Sequence, residues 1–113
     1  MPFISIRVSK NLDDTNKNEL QSKIVDIMEL IPGKNADNTT ICISDEYSIY
    51  NKKAPVEVAF IEVRLYKESP LDSKRTFAEH LFGIVENTIN IPPSNVHINF
   101  LEFENWAANG ELF

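Results

Sequence analysis

Short extended runs of apolar residues alternate along this chain with longer stretches in which apolar positions recur at helical spacing. Residues 2 to 8, rich in β-branched and aromatic side chains, predict a strand. Asn11 to Asp14 break the run. From Thr15 onward Leu20, Ile24, Ile27, Met28 and Ile31 return every three or four positions, which predicts a helix of about four turns. Thr15 is placed to cap it and Pro32-Gly33 to stop it. Thr39 to Ser44 predicts a second strand, and Asp45 to Lys53, running on to Ala54-Pro55, a connection. The scheme then recurs. Val58 to Tyr66 predicts a strand, Pro70 to Thr88 a helix bearing Phe77, Leu81, Phe82, Ile84 and Val85, and Val96 to Phe103 a last strand after the Pro92-Pro93 turn.

The recurrence has a fixed offset of 57 residues. Phe3-Ile4-Ser5-Ile6-Arg7-Val8 overlies Phe60-Ile61-Glu62-Val63-Arg64-Leu65, and the same shift sets Leu20 on Phe77, Ile24 on Leu81, Ile27 on Ile84 and Ile41 on Ile98. The expectation is one pseudo-symmetric domain over residues 1-113, with two β-α-β halves at about 2-50 and 56-103 and a C-terminal tail at 104-113. A helical crossover makes the two strands of each half parallel and puts both helices on one face. Alternation then assigns Ile4, Ile6, Val8, Ile41, Ile43, Ile61, Val63, Leu65, Ile98 and Phe100 to the helix side. The opposite parity collects Phe3, Ser5, Arg7, Cys42, Phe60, Glu62, Arg64, Tyr66, His97, Asn99 and Leu101, a mixed face that is either solvated or closed by another subunit.

Composition narrows the classes. A net charge of −6 over 113 residues, with no basic run, argues against a nucleic-acid partner. The longest apolar runs are too short to cross a bilayer, and no basic segment leads into a hydrophobic one at the N-terminus. One cysteine, Cys42, suits a reducing compartment and excludes an internal disulfide framework, so the expectation is a cytoplasmic protein without a membrane partner. Phosphate-loop and metal-ligand motifs are absent from the sequence; neither a cofactor nor a metal is expected.

Pro2 is the first candidate for chemistry. Removal of Met1 before so small a residue would leave a secondary amine as the N-terminus. Burial or a neighbouring cation would lower that amine's pKa and make it a free base near neutral pH. Arg7, Glu62 and Arg64 share a face and read first as an ion-pair cluster, second as a binding cluster. Trp106, Phe103 and Phe113 make the tail too aromatic to be left in water; docking on a neighbouring subunit is the first reading and pocket lining the second. His80 reads as a surface histidine and Cys42 as a core or interface residue.

Met1-Pro2-Phe3-Ile4, Gly33-Lys34, Ala59-Phe60-Ile61-Glu62-Val63 and Val96-His97-Ile98-Asn99-Phe100 together resemble the tautomerase superfamily, which includes macrophage migration inhibitory factor and 4-oxalocrotonate tautomerase. The resemblance implies an α+β fold: a duplicated β-α-β, with a four-stranded mixed sheet, two helices on one face, and three chains assembled into a homotrimer. It implies a cofactor-free isomerase acting on a small keto-enol carboxylic acid, with Pro2 as base. By the same resemblance Lys34 holds the substrate carboxylate, Asn99 and His97 border a neighbouring subunit's pocket, and Tyr66 walls the site. His97 stands where that branch has tyrosine, and Leu12 where 4-oxalocrotonate tautomerase has its carboxylate-binding arginine, which makes a dicarboxylate substrate less expected. The ending Asn109-Gly110-Glu111-Leu112-Phe113 is similar to a bacterial subfamily of uncharacterised function with an Asn/Asp-Gly-x-x-Phe terminus. The alternative is a non-catalytic homotrimer that keeps the architecture and binds a metabolite or a protein.

Overall fold

A computed structural model describes residues 1–51 and 53–113. In chain order the elements are β1 (Phe3–Val8), α1 (Asp14–Asp26), β2 (Thr40–Ser44), β3 (Tyr50–Asn51), β4 (Ala54–Pro55), β5 (Ala59–Tyr66), α2 (Leu71–Ile89), β6 (Val96–Phe103), β7 (Ala107–Ala108) and β8 (Glu111–Leu112). Four strands form the main sheet in the order β2-β1-β5-β6. The outer pairs are parallel and the central β1–β5 pair is antiparallel, so two β-α-β halves meet along the middle of a mixed sheet. Among the described residues no helix is long and apolar enough to cross a membrane.

The 57-residue offset reappears as burial. Ile4, Ile6 and Val8 and their equivalents Ile61, Val63 and Leu65 are all completely buried, as are Leu20 with Phe77 and Ile24 with Leu81. Ile41, Ile43, Ile98 and Phe100 on the outer strands are partly buried against the same core. Removing each such Leu or Ile from water contributes about 1.5–3 kcal/mol, which is why strand parity alone fixes the helix-covered face.

Local boundaries follow finer chemistry than periodicity. The cap of α1 is Asp13, not Thr15: its carboxylate accepts the Asn16 amide at 2.7 Å. A carboxylate there both satisfies a free N–H and complements the positive end of the helix. The helix closes at Asp26, where the Ile27 amide reaches both the Ile24 and Val25 carbonyls, and the chain tightens into a 3-10 turn over Met28–Leu30 before Pro32. α2 extends to Ile89 and ends on Asn90 in the left-handed conformation at φ 58°. The connection between halves contains a small ribbon, Tyr50 opposite Pro55 and Asn51 opposite Ala54.

Candidate active site

The N-terminus, the turn after α1 and the end of β5 converge. Thr40 donates its amide to the Pro2 carbonyl at 3.1 Å, which continues the β1–β2 pairing to the chain end and holds Pro2 buried beside the sheet. Met1 precedes it, partly exposed. Gly33, at φ 78°, turns the chain after Pro32, and the Lys34 amide bonds back to Ile31 at 3.1 Å. Lys34 therefore lies well past the last turn of α1 and is not a helix-terminal cation. Its Nζ donates to the Tyr66 carbonyl at 3.5 Å. Burial first, then the charge of and hydrogen bond with Lys34, hold the Met1 amine, the N-terminus here, below its ordinary value of 8.0.

Tyr66 is the hub of this corner. Its ring meets Phe113 at 5.7 Å between centroids, and the Lys67 ammonium lies 5.2 Å from its centre. Lys67 has a φ of 64°, and its amide donates to the Phe103 carbonyl at 2.7 Å. Behind it, the Glu102 carboxylate accepts the Ser69 amide at 2.6 Å and Lys74 at 2.8 Å, fixing the turn between β5 and α2. Neither Lys34 nor Lys67 has a carboxylate within 4.0 Å among the described residues.

The tail folds onto its own chain. β7 and β8 form a hairpin closed by Asn109 (φ 52°) and Gly110 (φ 80°), and the Phe113 amide bonds to the Trp106 carbonyl at 2.8 Å. Successive positive φ values are what a type I′ turn needs, and Asn-Gly is the strongest short hairpin signal. That dipeptide was the sequence mark of this element, which periodicity passed over because each strand has only two residues. Trp106 packs edge-on against Phe103 at 6.2 Å. Phe3, Arg64, Phe103, Asn105, Trp106 and Ala107 line a groove of about 380 Å³ beside the N-terminus.

The remaining candidates are elsewhere. Register aligns Phe3 with Arg64 and Leu101, but Arg7 with Phe60 and His97. His97 is thus four residues along β6 from the row of Phe3, about 13 Å, and two strands across, about 10 Å. It stacks on Phe60 at 5.6 Å, and Asn99 is exposed opposite Glu62. Within one chain, then, the Met1 amine, Lys34 and the Tyr66 carbonyl come together next to Pro2, while His97 and Asn99 do not join them. Glu62 lies between two arginines, 3.7 Å from Arg7 and 3.0 Å from Arg64. Leu12 is buried in the core and offers no charge. His80 is exposed on α2, bonded to its own helix at Thr76, and Cys42 is exposed on the helix-free face rather than in the core.

No protein-family model and no curated protein sequence matches the chain. Solved structures do. MIF2 of Leishmania major superposes with a TM-score of 0.92 at 21% identity, over 100% of this chain and 97% of that one. The macrophage migration inhibitory factor-like protein of Entamoeba histolytica gives 0.86 at 18% identity over 99% and 98%. Native fused 4-OT gives 0.86 at 15% identity over 96% and 94%. The chain has the fold shared by macrophage migration inhibitory factor and 4-OT, with its N-terminal amine, Lys34 and Tyr66 gathered at one corner of that fold.

Proposed function

We propose that the protein is a cofactor-free tautomerase of small keto-enol carboxylic acids, with Pro2, freed by loss of Met1, as the general base. The observation that carries this reading is the setting of the chain end: with Met1 in place its amine is lowered in pKa by burial and by the Lys34 ammonium, and loss of Met1 would leave the Pro2 amine next to the same lysine. An unprotonated secondary amine accepts a proton from the carbon next to the substrate carbonyl and returns it at the other end of the enolate. Lys34 spends one N–H on the Tyr66 carbonyl. Another is engaged by the amine, which leaves one for a substrate carboxylate. Tyr66 and Phe113 wall the corner and keep water from the enolate.

The register separates His97 and Asn99 from the N-terminal corner of their own chain, so the scheme assigns them to a neighbouring subunit's pocket, with Asn99 donating to the enolate oxygen. That supports a homotrimer, as do two solved structures of the same fold, fused 4-OT described as an asymmetric and as a symmetric trimer. The single cysteine agrees with a cytoplasmic setting.

A second reading, a non-catalytic trimer, is favoured by one observation: with Met1 in place the amine belongs to methionine and Pro2 is buried. The test is ketonisation of phenylenolpyruvate by untagged protein of verified N-terminal mass, beside Pro2→Ala. A rate well above buffer that collapses in the variant supports the tautomerase. Buffer-like rates for both leave the binding trimer.

A further inference from the structure

We infer that Arg64 is an anion-reading, specificity-determining residue of the aromatic groove beside the N-terminus, and that the groove takes a ligand with a flat apolar body and a second anionic group distinct from the one at Lys34. This rests on the N-terminal corner being the ligand site, but it does not require Pro2 to be the base.

The groove has the volume and lining of a small-molecule site. Phe3, Phe103 and Trp106 supply aromatic surface, and Arg64 and Asn105 supply the polar groups, in about 380 Å³. Phe3 follows Pro2 directly and Arg64 is two residues, about 7 Å, from Tyr66 along β5, so the groove adjoins the N-terminal corner although Lys34 and Tyr66 do not line it. Arg64 stands opposite Phe3 in the register, with its guanidinium carbon 5.9 Å from the Phe3 ring centre. Of its five N–H donors, only one, on Nη2, has a protein acceptor among the described residues, the Glu62 carboxylate at 3.0 Å. Nε is buried without a partner. The side chain as a whole is 43% exposed. A guanidinium held in place on one side and underused on the other is poised for a planar anion.

Charge points the same way. Glu62 is shared between Arg7 and Arg64, so this cluster carries one positive charge more than negative, on a chain whose net charge is −6. Around the corner Lys34 and Lys67 also lack carboxylate partners among the described residues. With 17 acidic side chains against 11 basic ones, unmatched cations gathered at one end are a complement to an anionic ligand.

Trp106 is the only tryptophan in the chain and lines the groove, so its fluorescence reads occupancy directly. The probes are phenylacetate and 1,4-phenylenediacetate, one ring with one or two carboxylates, titrated into protein lacking Met1. We expect the diacid to bind about tenfold more tightly, the lower end for a charged hydrogen bond, and this preference to shrink with added salt. Arg64→Gln should bring the ratio close to one, and Arg64→Lys should keep part of it. Lys34→Gln should weaken both probes and leave a preference. A ratio near one in the unaltered protein, or a ratio unchanged in Arg64→Gln, overturns the inference. So does the absence of any quenching, the result expected if a neighbouring copy fills the groove. Should Pro2→Ala prove as active as the parent while the ratio holds, the base assignment fails and the groove assignment stands.

Discussion

The proposed proton chemistry turns on one amine and one lysine. Burial and the Lys34 ammonium both disfavour the charged N-terminal amine. Replacing Lys34 with Gln removes the second cause and leaves the first, so the amine's titration midpoint should rise toward 8.0 without reaching it. Measuring the pH dependence of N-terminal acylation tests this, and a midpoint unmoved by Lys34→Gln would remove Lys34 from the site. If Pro2 is the base, the rate falls as pH drops through the amine's lowered pKa, since only the neutral amine accepts a proton. In enol-pyruvate kinetics above pH 8, where the amine is neutral with or without Lys34, Lys34→Gln should act on KM more than on kcat if the ammonium holds the carboxylate in ground and transition states alike.

Two contacts decide how well the elements present that corner. Asp13 caps α1 through the Asn16 amide, and Asp13→Ala should cost about 1 kcal/mol in chemical denaturation. Glu102 clamps the turn that carries Lys67 and Ser69. Burial would raise its carboxyl pKa. The hydrogen bonds from Lys74 and the Ser69 amide, with the Lys74 charge, outweigh burial and hold it below its ordinary 4.5. A carboxyl with a lowered folded pKa stabilises fully above the unfolded value and loses that stabilisation as pH falls through the folded one. Glu102→Gln should therefore flatten stability against pH below about 4.5 and lower it near neutrality by about 1–2 kcal/mol. Equal pH profiles for both proteins would show that the clamp carries no net weight.

At the scale of the molecule, one face of the sheet is covered by both helices and the other bears Phe60 exposed beside Arg7 and Leu101 exposed beside Arg64. Such a face gains by association. The prediction is a solution mass three times the 12.9 kDa of the chain by light scattering. A stable monomer would leave His97 and Asn99 without any pocket to serve. Core truncation should be felt equally in the two halves: Leu20→Ala and Phe77→Ala occupy equivalent, fully buried positions, and each should cost several kcal/mol, about 2–5 and 3–5 respectively.

The sequence by itself determined the four strands of the main sheet, the two helices, the duplicated plan and the helix-covered face, because burying alternating Ile and Val on a strand and Leu and Phe at helical spacing leaves a single consistent arrangement. It also raised Pro2 and Lys34 as candidates for the proposed chemistry. Tertiary structure decided the rest. Asp13 displaced Thr15 as the cap through a hydrogen bond whose geometry no periodicity encodes. Asn109-Gly110 turned an aromatic tail back on its own chain, so that Phe113 meets Tyr66, a partner 47 positions away in sequence. Strand register set His97 apart from Pro2 while placing Arg64 opposite Phe3, and register depends on pairing between halves that a linear pattern does not carry. Local preference is written in neighbouring residues, whereas a site is made by distant ones that only the packed sheet brings side by side.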